Sequence, residues 1–325
     1  MLCCDKITKL CISVMGRQGD CMLIDDLVNE VKKKQNPCIV GLDPEWDELP
    51  NCYRQLSKSK PKPEIVLQWA KDVIDAICDI VVAVKPQMAF YEVYGAEGYR
   101  VFEEVVAYAH LKKLIVIDDS KRNDIGNTAR AYAKAHLSRK GTINADFLTV
   151  SPFLGMDSIQ PFVDTALTED KGIFVLVKTS NPGSSEISDA INKKNLKISD
   201  WLGECVRAFG SQCVGASGYS AIGAVVGATF PEEAEMLRKI MRNSYFLVPG
   251  YGAQGGSAKD VVSCFNEDGL GALVSSSRGI LYKYSENEEY DGSIGMYKEI
   301  VRMQTVKMQQ EVYGMLKKYC KEMKY

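Results

Sequence analysis

The sequence predicts a (β/α)8 barrel of the α/β class, folded as a single domain. Three observations carry this. Eight short apolar runs recur along the 325 residues, each followed by a helical segment. The runs are apolar almost throughout rather than alternating, as expected of strands buried on both faces in a parallel sheet. Charged and hydroxyl residues collect at their C-terminal ends, the rim on which such barrels carry their chemistry. A doubly wound open sheet is the alternative.

Taken in order, 38–44 reads as a short apolar strand stopped by Pro44, with Asp43 at its C-terminal end. A Pro- and Lys-rich loop leads to a helix over 63–79, where Ile65, Val66, Trp69, Val73, Ile74 and Ile77 share a face. The second strand, 81–85, ends in Lys85, and a helix follows over 95–111. The third strand, 114–117, runs into Asp118-Asp-Ser-Lys-Arg-Asn-Asp124 and a helix over 127–137. Strands follow at 146–150, 172–177, 223–227, 245–248 and 271–275. The intervening helices are expected at 158–167, 201–209, 231–241 and 258–266, with Pro231 favouring a first helical turn. The barrel unit is expected to span 22–325 and to close with a long amphipathic helix over 291–322. Residues 1–21 hold four cysteines and no sustained periodicity, so Met22 is expected to be the functional start and 1–21 a dispensable extension.

Composition narrows the function classes. Lys plus Arg is 40 against Asp plus Glu 42, a balance that argues against a general nucleic-acid binder but allows a local phosphate site. No apolar run approaches a membrane span. The 11 scattered cysteines read as reduced thiols of a cytoplasmic protein. With only His110 and His136, a zinc site or a histidine-based triad is poorly supplied. His110 is expected to cap a helix C-terminus, and His136 to lie on a helix surface.

The rim carries the candidate chemistry. Asp119, Lys121 and Asp124 fall within six residues at the end of an apolar strand, where charges must pair or be used. In an extended backbone Asp119 and Lys121 point to the same side. Such an array either holds a lysine charged and fixed or is a salt-bridged strand end. Asp43, Lys85, Thr179, Ser180 and Arg278 join it at other strand ends. Singly, these residues read as a turn former, a snorkelling lysine, a turn start and a surface arginine. After strand seven, residues 250–256 contain four glycines, so backbone amides can approach an anion closely. Arg278, after strand eight, can hold two phosphate oxygens at once. The residues alone thus indicate a barrel enzyme acting on a phosphorylated small molecule. They supply no soft-metal ligand set and leave open a hard cation such as Mg²⁺.

These residues resemble the orotidine 5′-monophosphate decarboxylase family, over roughly 22–285. The family signature Asp-x-Lys-x-x-Asp is matched by Asp119-Ser-Lys121-Arg-Asn-Asp124, its strand-two lysine by Lys85, and its ribose-binding aspartate by Asp43. Thr179-Ser180 looks like the pyrimidine-contacting segment, and Pro249-Gly250-Tyr-Gly252-Ala-Gln254 like the phosphate loop. The Lys-Arg-Asn-Asp-Ile-Gly-Asn-Thr wording is similar to the longer, diverged branch. Ser277-Arg278 departs from the usual Gly-Arg, and Asp118 is unexpected; by alternation it should face away, toward a lysine on a neighbouring helix.

The resemblance implies conversion of orotidine 5′-monophosphate (OMP) to UMP and CO2 in pyrimidine biosynthesis, with no metal or organic cofactor. It implies Lys85, Asp119, Lys121 and Asp124 as catalytic residues. Asp43, Ile125, Thr128, Thr179, Ser180, Pro249, Gly250, Gly252, Gln254, Ser277 and Arg278 are implied in substrate binding. It further implies a homodimer in which Asp124 and Thr128 reach the partner's site. No second catalytic region for making OMP is legible, so a separate orotate phosphoribosyltransferase, free or in a complex, is expected. The rival reading is a Mg²⁺-dependent sugar-phosphate relative with the same signature, and a non-catalytic nucleotide binder is the other. Lys85 together with Thr179-Ser180 favours the pyrimidine reading.

Overall fold

The computed structural model describes residues 22–252 and 255–323. Expectations for residues 1–21 and for Gln254 lie outside the described residues. Eight parallel strands close into a barrel in chain order, β1 pairing with β8. They are β1 (Cys38–Leu42), β2 (Ala83–Pro86), β3 (Ile115–Arg122), β4 (Phe147–Val150), β5 (Gly172–Lys178), β6 (Ser220–Val226), β7 (Ser244–Val248) and β8 (Ala272–Ser276). All but β3 and β5 are buried along their whole length, which accounts for the unbroken apolar runs.

The main helices are α1 (Leu23–Lys34), α2 (Lys62–Ile77), α3 (Gly95–Leu111), α4 (Gly126–Leu137), α5 (Met156–Glu169), α6 (Ile198–Gly210), α7 (Pro231–Ile240) and α8 (Ile294–Tyr319). The helix expected after β7 is instead a 3-10 segment, Asp260–Cys264, too short to bury an amphipathic face.

Two apolar layers fix the rim. The larger lies between the sheet and the outer helices and includes Trp69, Phe102, Phe162 and Phe246. The smaller includes Ile39, Ile117, Phe147, Phe174, Tyr245 and Leu273. Helix α1 adds Ile24, Leu27, Val28 and Val31 to this second layer. Its Asp25 accepts hydrogen bonds from the Ala216 and Ser217 amides that precede β6, at the N-terminal end of the strands. The C-terminal rim carries the polar groups instead.

Helix α8 starts at Ser293, whose hydroxyl accepts the Met296 amide proton at 3.1 Å. It packs on α2, where the Trp69 indole donates to Tyr297 Oη at 2.8 Å.

Candidate active site

The site is built around an irregularity in β3. Asp118 pairs with Leu148 and Arg122 with Val150, so three residues, Asp119 to Lys121, stand against the single Thr149. Such a bulge re-aims side chains beside a site. Lys121 adopts a left-handed backbone at φ 49°, costly for a lysine and seen where surroundings enforce it. Its amide leaves the strand ladder and donates to Thr149 Oγ1 at 2.9 Å.

The bulge gathers the expected charges around Asp119. Lys85 Nζ donates to Asp119 Oδ2 at 2.8 Å, and Lys121 Nζ to Oδ1 at 2.6 Å. Gln87 Nε2 and Thr149 Oγ1 complete the shell at 3.2 and 3.0 Å. Burial disfavours the Asp119 carboxylate, yet Lys85 and Lys121 outweigh it and hold the carboxyl well below the usual range. Burial likewise opposes the Lys85 charge, and Asp119 with Asp43 raises that ammonium above its ordinary value. Lys85 is thereby kept buried and charged, while the Lys121 side chain is 42% exposed at the mouth.

Asp43 and Ser277 meet over Gly41. A Cβ on Gly41 would lie 1.8 Å from Ser277 Oγ and 3.3 Å from Asp43 Oδ1. The extra carbon and hydroxyl at Ser277 are therefore absorbed by a glycine in β1. Asp43 Oδ1 is buried without a hydrogen-bond partner among the described residues, an acceptor at the rim for a hydroxyl donor. The Tyr282 hydroxyl donates to the Asp43 carbonyl and accepts the Glu45 amide, tying this loop to the segment after β8.

After β7, Gly250, Gly252 and Gly255 all have positive φ, which only glycine adopts freely. The loop folds on itself through Gly252 N–H to the Gly256 carbonyl at 2.8 Å and Gly256 N–H to the Gly250 carbonyl at 3.1 Å. The Tyr251 hydroxyl bonds Glu311 on α8. A cavity of about 1000 Å³ opens beside this loop, with Gly252, Gly256, Ser257, Ser276 and Arg278 in its lining. The glycine loop after β7 and the segment after β8 are thus neighbours, and Arg278 is exposed toward solvent.

Thr179 and Ser180 are half-buried at the end of β5. Thr179 Oγ1 donates to Asn181 Oδ1 at 2.8 Å, and the Ser180 carbonyl accepts from Thr229 at 3.2 Å. Lys178 turns away and is fully buried, bonded to Ser188 and Asp189 at 2.8 and 2.9 Å, which anchors the loop that follows. Asp124 Oδ1 accepts the Ile125 amide at 2.8 Å. Ile125 is 57% exposed, and Thr128 is exposed beside it at the start of α4.

Three readings from sequence are corrected. His136 is buried rather than on the surface, at 1% exposure. Asp118 does face away from Asp119, but it pairs with His136 at 2.6 Å rather than with a lysine. His110 bonds the Asp146 side chain at 2.9 Å instead of capping carbonyls. Thr149 and Gln87 were not expected in the site. Thr149 was the one polar residue in the core of an apolar strand, and Gln87 stood two residues beyond Lys85. Those were the available signals.

Among the described residues no cluster of three His, Cys, Asp or Glu side chains is spaced to hold a metal. None of their helices is long and apolar enough to cross a membrane.

A rim of this kind places the protein among barrel enzymes that handle small phosphorylated substrates. Residues 36–291 match the model of the "Orotidine 5'-phosphate decarboxylase / HUMPS family", and the chain belongs to that family. It is 38% identical to the orotidine 5′-phosphate decarboxylase of Clostridium kluyveri over 291 residues, covering 90% of this chain and 97% of the relative. It is 42% identical to that of Rhodopirellula baltica, covering 85% and 93%. Among solved structures, the OMP decarboxylase of Leishmania donovani aligns with TM-score 0.65 at 29% identity, covering 86% of this chain and 98% of that one.

Proposed function

We propose that this protein decarboxylates OMP at C6, yielding UMP and CO2. The observation that carries this reading is one buried carboxylate, Asp119, shared between Lys85 and Lys121 on the barrel rim. The chemical difficulty is the electron pair left on C6 when the bond to the carboxylate breaks. Lys121, the more exposed lysine, meets that pair with its positive charge and then gives it a proton. Water returns the proton to Lys121. Asp119 stands beside the substrate carboxylate, and the repulsion between the two anions is relieved as neutral CO2 forms. The side chains around the array supply every charge this sequence needs.

The remaining candidates position the substrate. Lys85 holds Asp119 and meets the ribose hydroxyls together with Asp43. Thr179 and Ser180 contact the pyrimidine. Pro249, Gly250, Gly252, Gln254, Ser277 and Arg278 hold the phosphate, far from C6, so that its binding energy is available for closing the loop. Ile125 joins the substrate contacts, and Asp124 and Thr128 complete the site of a second subunit in a homodimer, which the exposure of Thr128 at the head of α4 supports. OMP would come from a separate orotate phosphoribosyltransferase. The free thiols suit a cytoplasmic setting.

The test is stoichiometry. Purified protein given OMP should release one CO2 for each UMP formed. Consumption of a sugar phosphate in place of OMP would overturn the reading.

A further inference from the structure

Behind the reactive face of β3 lies a second polar cluster that the proposed reaction does not use. Asp118 is fully buried, and His136, in the last turn of α4, is 1% exposed. His136 Nδ1 lies 2.6 Å from Asp118 Oδ2. Ser120 Oγ donates to the other oxygen of Asp118. On its far side the imidazole is met by Arg122, whose Nε–H points at His136 Nε2 at 3.2 Å. Arg122 continues to Glu92 at 2.8 Å. Asp118, Ser120 and Arg122 are alternate residues of the strand whose other face presents Asp119 and Lys121.

The geometry fixes the imidazole. A guanidinium has no acceptor, so Arg122 Nε–H donates and His136 Nε2 must be bare. Nδ1 then carries the proton and donates it to Asp118. A buried carboxylate is satisfied in this way by a neutral ring and a hydroxyl.

The cluster sits where the strand ladder cannot act. Between Asp118 and Arg122 the pairing with β4 is interrupted, and Lys121 holds a left-handed backbone. Inside the barrel Thr149 supports this bulge through the Lys121 amide. Outside it, both ends of the bulge are held by His136, through Asp118 and Arg122. We propose that Asp118 and His136 are positioning residues that clamp the β3 bulge and so set Lys121 Nζ against Asp119. The same pair ties the strand to α4, whose opening turn carries Thr128 and which Asp124 precedes by two residues.

This inference rests on the proposed reaction, and two readouts keep the failures apart. The first needs no turnover. The chain has only two histidines, so ¹⁵N-histidine labelling at pH 7.5 reads each ring. The signal lost in His136→Asn should be the neutral Nδ1–H tautomer. The Nε2–H tautomer or an imidazolium there overturns the clamp.

The second is kinetic. His136→Leu fills the space without a donor, whereas the amide of His136→Asn still donates to Asp118. Displacing a reactive group by about 1 Å costs up to about 100-fold, so His136→Leu should lose about 10- to 100-fold in kcat at little-changed KM. His136→Asn should recover most of it. Unchanged kcat in a folded His136→Leu, or equal losses in both variants, overturns the proposal. If His136→Leu does not fold, Ser120→Ala, which removes one donor to Asp118, should still lower kcat several-fold at unchanged KM; no change would overturn the clamp. Absence of OMP turnover in the unaltered protein would instead refute the reaction and leave the tautomer result standing.

Discussion

Lys121 reaches Asp119 Oδ1 at 2.6 Å from a left-handed backbone two residues further along the same strand. The other oxygen of Asp119 belongs to Lys85. One lysine is therefore buried against the carboxylate, while the other stands at the mouth of the site. Lys121→Ala should lower kcat by about 10⁴-fold or more, since in the proposed reaction it removes both the proton donor and the charge facing C6. UMP binding, measured by calorimetry, should remain within about tenfold if, as proposed, the residues after β7 and β8 hold the phosphate and carry most of it.

Removing the shared carboxylate is expected to cost stability as well as activity. Asp119→Ala leaves the buried Lys85 ammonium unpaired, a change that typically costs about 3–5 kcal/mol. Denaturant unfolding of this variant against the unaltered protein measures it. A loss under about 1 kcal/mol would mean that water replaces the carboxylate at no cost.

The same pair predicts a pH dependence. Asp119 is shifted below its ordinary value near 3.9, so its contribution is complete above that pH and is lost as pH falls through the depressed value. Lys85 is shifted upward, so its contribution is complete below about 10.4 and is lost as pH rises through the raised value. The stability difference between the unaltered protein and Asp119→Asn should therefore be flat near neutrality and shrink in acid, below about pH 4. Unfolding midpoints of both proteins from pH 3 to 7 give the comparison.

Much of the barrel and its rim was legible because both rest on local rules. Continuous apolar strands and 3.6-residue periodicity are properties of segments, and charges at strand ends stand out against them. What escaped was long-range. Thr149 joins the site only because β3 bulges against β4, and a bulge leaves no mark in the hydrophobic pattern. His136 looked like a surface residue because its partner, Asp118, lies 18 residues away on a strand that itself looked over-charged. The helix assigned after β7 failed because its residues fit a helix period over too few turns to bury a face.

The Gly41–Ser277 contact yields a paired prediction. Gly41→Ala would place a Cβ 1.8 Å from Ser277 Oγ, so the segment bearing Arg278 must move. Overpacking of this kind costs about 1–3 kcal/mol and should raise KM for OMP. Adding Ser277→Gly to Gly41→Ala removes the clash and should recover most of both losses. Unfolding curves and KM on the three proteins decide it.

A shared site predicts complementation. Lys121→Ala and Asp124→Ala should each be inactive alone. Mixed and allowed to exchange subunits, they should regain about a quarter of full activity, since half of the dimers are hybrids with one intact site each. No recovery after demonstrated exchange would place Asp124 in its own subunit's site.

The central claim is most directly tested by following the ultraviolet absorbance of OMP with purified protein, in the presence and absence of EDTA. A fall in absorbance at the same rate in both, with UMP as product, is the predicted result. No fall with a folded protein, or a fall that EDTA abolishes, would contradict it and shift the assignment to a metal-dependent reaction on a sugar phosphate.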